Sequence, residues 1–243
     1  MKFGLESIRR LLEELGNPHE RFPSALIAGT NGKGSVSRFL STVTSAAGLR
    51  TGLYTSPHLI RIQERIKVDG QEISEERFAR HFTRVYDVIQ SGRLPAHPTF
   101  FECVTATAFS FFAEKDVDFA VLEIGMGGRL DSTNVVSPLL SVITPISYDH
   151  QQYLGDTLAA IAREKAGIMR KGSPVLLAEQ EPEAEQTLRA EAERIAAIPH
   201  TLDAEGLRIL GHDLGRYQFA FHEETFQLRV PGIAQVQNAA LAL

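Results

Sequence analysis

The 243-residue sequence predicts an α/β fold, a three-layer α/β/α arrangement around a mostly parallel sheet, from three observations. Short apolar runs alternate with longer helix-like stretches along most of the chain, the pattern of a doubly covered sheet. The run Ala25-Leu26-Ile27-Ala28 feeds the glycine-rich segment Gly29-Thr30-Asn31-Gly32-Lys33-Gly34-Ser35 and then a helix-like stretch over 36–47. The run over 119–124 is continuously apolar, as in strands buried on both faces, until Glu123 breaks it.

A strand, a glycine-rich turn and a helix in that order form a P-loop, whose backbone N–H groups and helix N-terminus face phosphates while a lysine reaches the terminal ones. Asn31, Gly32, Lys33, Gly34 and Ser35 are therefore candidate contacts of a nucleoside triphosphate. The usual pattern ends Gly-Lys-Ser/Thr, whereas Gly34 here separates Lys33 from Ser35. The departure leaves the Ser35 hydroxyl outside the usual magnesium-binding place of such a loop.

The net charge of −5 gives no general attraction to nucleic acid or an anionic membrane, so any anion site must be local. The single cysteine, Cys103, excludes a disulfide within the chain and sits in an apolar run as a small core residue. The start lacks a signal-peptide apolar region, and no stretch approaches the roughly 20 apolar residues of a membrane span. A cytoplasmic protein is the expectation.

Taken in order, residues 5–15 carry Leu5, Ile8, Leu11, Leu12 and Leu15 at helical spacing, with a stop at Gly16 and Pro18. After the P-loop unit, residues 51–55 read as a second parallel strand, followed by Ser56-Pro57-His58-Leu59. Residues 65–68 and 72–73 read as a hairpin around Asp69-Gly70, and 75–90 as a helix capped by Ser74 without an acidic capping-box partner. Residues 99–115 are apolar on nearly every face, a buried helix. Strands are expected over 119–124, 139–144 and 174–178, and helices over 156–169 and 182–196. From 201 onward alternation over 207–210, 216–221 and 225–230 reads as antiparallel strands, a small β element within about 200–231, before a helix over 235–243. The ending Ala-Ala-Leu-Ala-Leu, without a polar cap, reads as a domain boundary.

Gly-Thr-Asn-Gly-Lys-Gly-Ser, Ser-Pro-His-Leu, Leu-Glu-Ile-Gly-Met-Gly-Gly-Arg-Leu-Asp-Ser-Thr-Asn, Asp-His, Glu-Lys-Ala-Gly-Ile and Gln-Asn-Ala occur in one order across almost the whole chain. Together they resemble the folylpolyglutamate synthase/dihydrofolate synthase family, a branch of the Mur ligase superfamily. The resemblance implies an ATP-dependent ligase that activates the carboxylate of dihydropteroate or folate as an acyl phosphate and joins it to L-glutamate. It implies ATP and magnesium, two ions, with metal held by Ser56, Glu123 and His150. It matches Lys165 to a carbamylated lysine, and with Lys33, His150 and Glu123 this makes the catalytic set. Phe3, Gly4, Leu5, Thr99, Leu130, Asp131 and Ser132 match substrate-side positions, and Asn238 an adenine-side contact. It further implies a Rossmann-like domain after residue 243 and a monomer that meets small molecules only.

Without the resemblance the same residues read more blandly. His150 is a surface or hydrogen-bonded histidine, Ser56 a turn former before Pro57, Lys165 a solvated helix charge, and Arg129 with Asp131 a loop ion pair. Two other functions compete: a cell-wall Mur-type peptide ligase, opposed by the single helix before the P-loop, and a non-catalytic nucleotide- or folate-binding module.

Overall fold

The structure is a computed structural model that describes residues 4–203, 205–213 and 215–243. Its helices are α1 (Glu6–Glu14), α2 (Lys33–Ala46), α3 (Glu75–Gln90), α4 (Phe100–Glu114), α5 (Gln151–Leu154), α6 (Leu158–Ala166), α7 (Pro182–Ile195) and α8 (Ile233–Ala240). Its strands are β1 (Ser24–Ala28), β2 (Thr51–Tyr54), β3 (Ile66–Val68), β4 (Gln71–Glu72), β5 (Phe119–Glu123), β6 (Leu140–Ile143), β7 (Pro174–Leu177), β8 (Ile198–Thr201), β9 (Leu207–Asp213), β10 (Arg216–Phe221) and β11 (Glu224–Leu228).

The main sheet has the order β4-β3-β2-β5-β1-β6-β7-β8. It is parallel from β2 through β8, and β3 and β4 add an antiparallel edge. β1 lies between β5 and β6, with Ile27 in register with Glu123 and Val142. The loops leaving β2, β5, β1 and β6 therefore emerge side by side at the carboxyl ends, where open α/β sheets bind ligands.

Alternation along the strands divides the core. Leu26, Ala28, Ala120 and Leu122 face the larger cluster, which holds side chains of α1, α3, α4, α6 and α7. Ala25, Ile27, Val121 and Val142 face Val36 of α2 and Leu241 beyond α8. The result is the expected three layers. α4 is buried along almost its whole length, with Phe109 and Phe112 fully buried; truncating either to alanine would cost roughly 3–5 kcal/mol. The small sheet β11-β10-β9 packs through Phe219 and Leu228 against Val236 and Ala239 of α8.

The differences from the sequence reading are local. β8 extends the main sheet as its exposed edge, a place where Pro199 is tolerated, and the small sheet begins only at Leu207. α5 precedes α6, opened by His150 at φ +45°. α4 carries a full capping box, in which Thr99 Oγ1 accepts from Glu102 N and Glu102 Oε2 from Thr99 N. Among the described residues no helix is long and apolar enough to cross a membrane.

Candidate active site

The P-loop is pinned by its neighbours before it reaches any ligand. A Cβ at Gly29 would run into Thr144 Oγ1 at the end of β6. Thr30 N and Asn31 N both donate to Pro145 O, at 3.0 and 3.3 Å, and Thr30 Oγ1 bridges to the backbone of Ser147. Gly32, the residue before α2, has φ +88°, and a Cβ there would lie 2.5 Å from Asn238 Oδ1 of α8. Only glycine meets both demands. Lys33, Gly34 and Ser35 form the first turn of α2, whose N–H groups have no intrahelical acceptor and no capping side chain. Three aligned donors at a helix N-terminus suit an anion.

Two ammonium groups converge beside them. Lys33 Nζ donates to Gly29 O at 3.0 Å and Thr30 O at 3.2 Å, folded back along its own loop. Lys165 Nζ, on a side chain only 2% exposed, donates to the same Gly29 O at 2.7 Å. No carboxylate pairs with either within 4.0 Å among the described residues. Burial pushes the Lys165 amine down to about 8, and the Lys33 charge adds to the fall while Asp149 opposes it. The bland reading of Lys165 as a solvated charge is thus overturned: α6 turns it into the carboxyl end of the sheet.

Glu123 ends β5 one strand away, 4% exposed. Its Oε2 accepts from Ser56 N at 3.0 Å, and a Cβ on Gly34 would touch both of its oxygens at 3.5 Å. Burial raises its pKa, while the Ser56 N–H and then the positive charges of Lys33, Arg38 and Arg65 oppose the rise. A buried carboxylate with one hydrogen bond keeps lone pairs free for a hard cation. Glu123 and Ser56, which precedes Pro57 through a cis bond, are therefore together. His150 stands at the start of α5, its side chain 49% exposed and 3.5 Å from Asp149. Among the described residues no cluster of three His, Cys, Asp or Glu forms a metal cage.

On the other side of the P-loop, Asn31, Gly32, Pro145, Ala178, Leu202 and Asn238 line a cavity of about 130 Å³. Asn238 Nδ2 donates to Gln235 Oε1, which holds its carboxamide over Gly32.

The loop after β5 holds the substrate-side candidates. Asp131 is buried; Oδ1 accepts from Thr133 N and Oγ1, and Oδ2 from Met126 N. Burial raises its pKa against these hydrogen bonds. Its oxygens are spent on the loop, and Arg129 pairs with Glu164 rather than with Asp131. Ser132 is buried within a 3-10 turn (Ser132–Val135), while Leu130 and Leu5 line a surface groove with Arg9. Gly4 is exposed, Thr99 caps α4, and Phe3 lies outside the described residues. Sequence reasoning missed Arg65 and Tyr54. Both are buried beyond Glu123, and the one available sign was an arginine directly before an apolar strand.

Comparison with known proteins agrees with this fold. The chain is 40% identical over 257 residues to the dihydrofolate synthase/folylpolyglutamate synthase of Bacillus subtilis (strain 168), a match covering 100% of this chain and 59% of that protein. The apo form of L. casei FPGS superposes with a TM-score of 0.90 at 33% identity, over 100% of this chain and 61% of that one. A Mycobacterium tuberculosis folylpolyglutamate synthase complexed with ADP and AMPPCP gives 0.88 at 37% identity, over 98% and 57%. The chain thus spans less than two thirds of the length of each of these proteins. Residues 27–243 match the Mur ligase middle domain, and the chain belongs to that family.

Proposed function

We propose that this chain is the nucleotide-binding part of an ATP-dependent ligase that joins the carboxylate of dihydropteroate or folate to L-glutamate. The observation that carries the reading is the meeting of two ammonium groups, Lys33 and Lys165, neither with a carboxylate within 4.0 Å among the described residues, with the open first turn of α2, opposite a buried carboxylate. Relatives named dihydrofolate synthase/folylpolyglutamate synthase, and a similar structure described as an FPGS-AMPPCP-folate complex at 33% identity and TM-score 0.88, support the substrate classes.

A carboxylate is a poor acyl donor, so the reaction needs two displacements. The substrate carboxylate oxygen attacks the γ-phosphorus, the bond to the β-phosphate oxygen breaks, and ADP leaves. The amino group of glutamate then attacks the acyl carbon, phosphate departs and the amine proton is lost. The first step brings anions together, so positive charge and fixed donors do most of the work. Lys33 and the N–H groups of Gly34 and Ser35 hold the β- and γ-phosphates, Asn31 and Gly32 shape the turn, and Asn238 closes the adenine side. Ser56 and Glu123, with His150 as a third candidate, would hold magnesium, and the metal there would neutralise phosphate charge. Lys165, its amine lowered to about 8, is a fraction neutral near pH 7 and open to carbamylation by CO2. Leu5, Leu130, Asp131, Ser132 and Thr99 border the pterin side, Asp131 by holding its loop in shape. A cytoplasmic monomer is part of the proposal.

Phosphate release tests it. The full-length enzyme of which this chain is the nucleotide-binding part should, with magnesium-ATP, release phosphate only when a pteroate or folate substrate and glutamate are both present, and Lys33→Met should abolish the release. Turnover with a cell-wall peptide precursor and none with pteroate would instead establish the Mur-type alternative.

A further inference from the structure

Arg65 is a buried guanidinium. The residue is 8% exposed, and among the described residues it makes no ion pair within 4.0 Å. Its Nε donates to His58 Nδ1 at 2.8 Å, and its charge bears on the Tyr54 phenol, itself fully buried against Thr105. Neutral partners of this kind solvate a cation without neutralising it, which in a protein interior is costly unless an anion arrives.

The surroundings say where that anion would sit. Arg65 O accepts from Thr55 N at 3.0 Å, so Arg65 stands level with the end of β2, and its charge reaches Glu123. Along the carboxyl edge of the sheet the order is Lys33 after β1, Glu123 on β5, Ser56 after β2, then Arg65 before β3. Arg65 thus lies beyond Glu123 as seen from the phosphates. The chain around it is fixed: Glu64, whose carboxylate accepts from the N–H groups of Leu59, Ile60 and Arg61, ties down the 56–65 loop. Above the guanidinium, 5.6 Å from its carbon to the ring centre, lies Phe100, which is 58% exposed at the start of α4. An aromatic face left open next to a buried cation fits a ligand that is a carboxylate on a flat ring.

We propose that Arg65 binds the acceptor carboxylate, the group phosphorylated in the first step, and that Phe100 seats the aryl ring carrying it. This rests on the ligase reading above and adds to it a residue for the second substrate. A guanidinium offers two parallel N–H donors, which match a carboxylate and fix the direction of its oxygens. Held between Arg65 and the Glu123 side of the site, the carboxylate would present one oxygen toward the phosphates.

The test compares pteroate with the same molecule carrying a primary amide in place of the carboxylate, each titrated into protein loaded with magnesium and AMPPCP. Wild-type protein should prefer the acid at least tenfold. Arg65→Met should weaken the acid roughly a hundredfold and leave the amide and AMPPCP within threefold. Phe100→Ala should weaken acid and amide alike, by about tenfold. If Arg65→Met does not fold, Arg65→Lys decides: the ammonium lacks the two-donor fork, so the preference for acid must fall at least threefold. Pteroate binding in which Arg65 variants leave that preference unchanged, or in which acid and amide weaken together, overturns the Arg65 assignment alone. Wild-type protein that binds AMPPCP but neither pteroate nor its amide overturns the folate reading, and the Arg65 assignment falls with it.

Discussion

Two glycine-rich loops leave neighbouring strands of this sheet, and they treat their polar groups in opposite ways. The loop after β5 satisfies itself. Asp131 takes the donors of Met126 and Thr133, Asn134 Nδ2 donates to Arg129 O and Gly167 O, and Arg129 pairs with Glu164. The loop after β1 does not. Its first helical turn keeps its N–H groups open, and two ammonium groups crowd one carbonyl oxygen with no carboxylate within 4.0 Å among the described residues. Glycine content is common to both, so composition does not separate them; hydrogen-bond satisfaction does. A loop that closes on itself holds a shape, and one that leaves donors and charges open holds a ligand.

The largest effect expected from breaking this contrast is on chemistry. Lys33→Met and Glu123→Gln should each lower turnover a hundredfold or more, on the scale of a lost electrostatic contact in a transition state, about 3 kcal/mol. Neither should lower the melting temperature of the nucleotide-free protein, because each removes a charge that has no ion-pair partner within 4.0 Å among the described residues. A melting temperature that falls with turnover would make the open loop structural.

Next comes a pH effect with a defined sign. Lys165 has a folded pKa of about 8 against 10.5 for a free lysine. The folded protein thus binds fewer protons between those values, so stability should rise as pH climbs from 8 to 10.5. The difference corresponds to about 3 kcal/mol, an upper figure for a buried group. Lys165→Met should raise stability near pH 7 and flatten the rise, which urea titrations at pH 7 and pH 10 can measure.

Asp131→Asn should act on the opposite kind of loop. The amide nitrogen cannot accept from Met126, so a cost of about 1–3 kcal/mol in stability is expected, with nucleotide affinity unchanged. Weaker nucleotide binding without loss of stability would reverse the roles of the two loops. The smallest effect concerns Glu64. Hydrogen bonds from the backbone of Leu59 and Arg61 hold its pKa down to about 2. This order is present above pH 4.5 and should fade as pH falls toward 2, and hydrogen exchange at Leu59–Arg61 amides should follow it, with Glu64→Gln removing the pH dependence.

The sequence made the layered sheet and the open loop legible, because both are local: apolar runs at strand length, and a lysine among glycines. Glu123 was legible as a carboxylate interrupting an apolar strand. Lys165 was not, since an alanine-rich helix with one lysine looks the same whether its end meets water or Gly29 O. Arg65 gave only its place directly before an apolar strand, because its burial under Phe100 depends on where α4 starts relative to the end of β2. β8 was hidden by its exposure and by Pro199, which argues against a strand except at an edge. Thr99 and Glu102 are a capping box legible from their three-residue spacing before an apolar run. Asp131 reads from the sequence as a residue of the loop after β5, yet whether its oxygens face a ligand or the loop itself depends on the fold of 126–133.

The central claim is that the β1 loop is an anion site made for a triphosphate, and calorimetric titration tests it most directly. ATP with magnesium should bind at least a hundredfold more tightly than adenosine, and Lys33→Met should weaken ATP tenfold or more, about 1.4 kcal/mol, while leaving adenosine unchanged. ATP and adenosine binding with equal affinity, or ATP binding untouched by Lys33→Met, would contradict it.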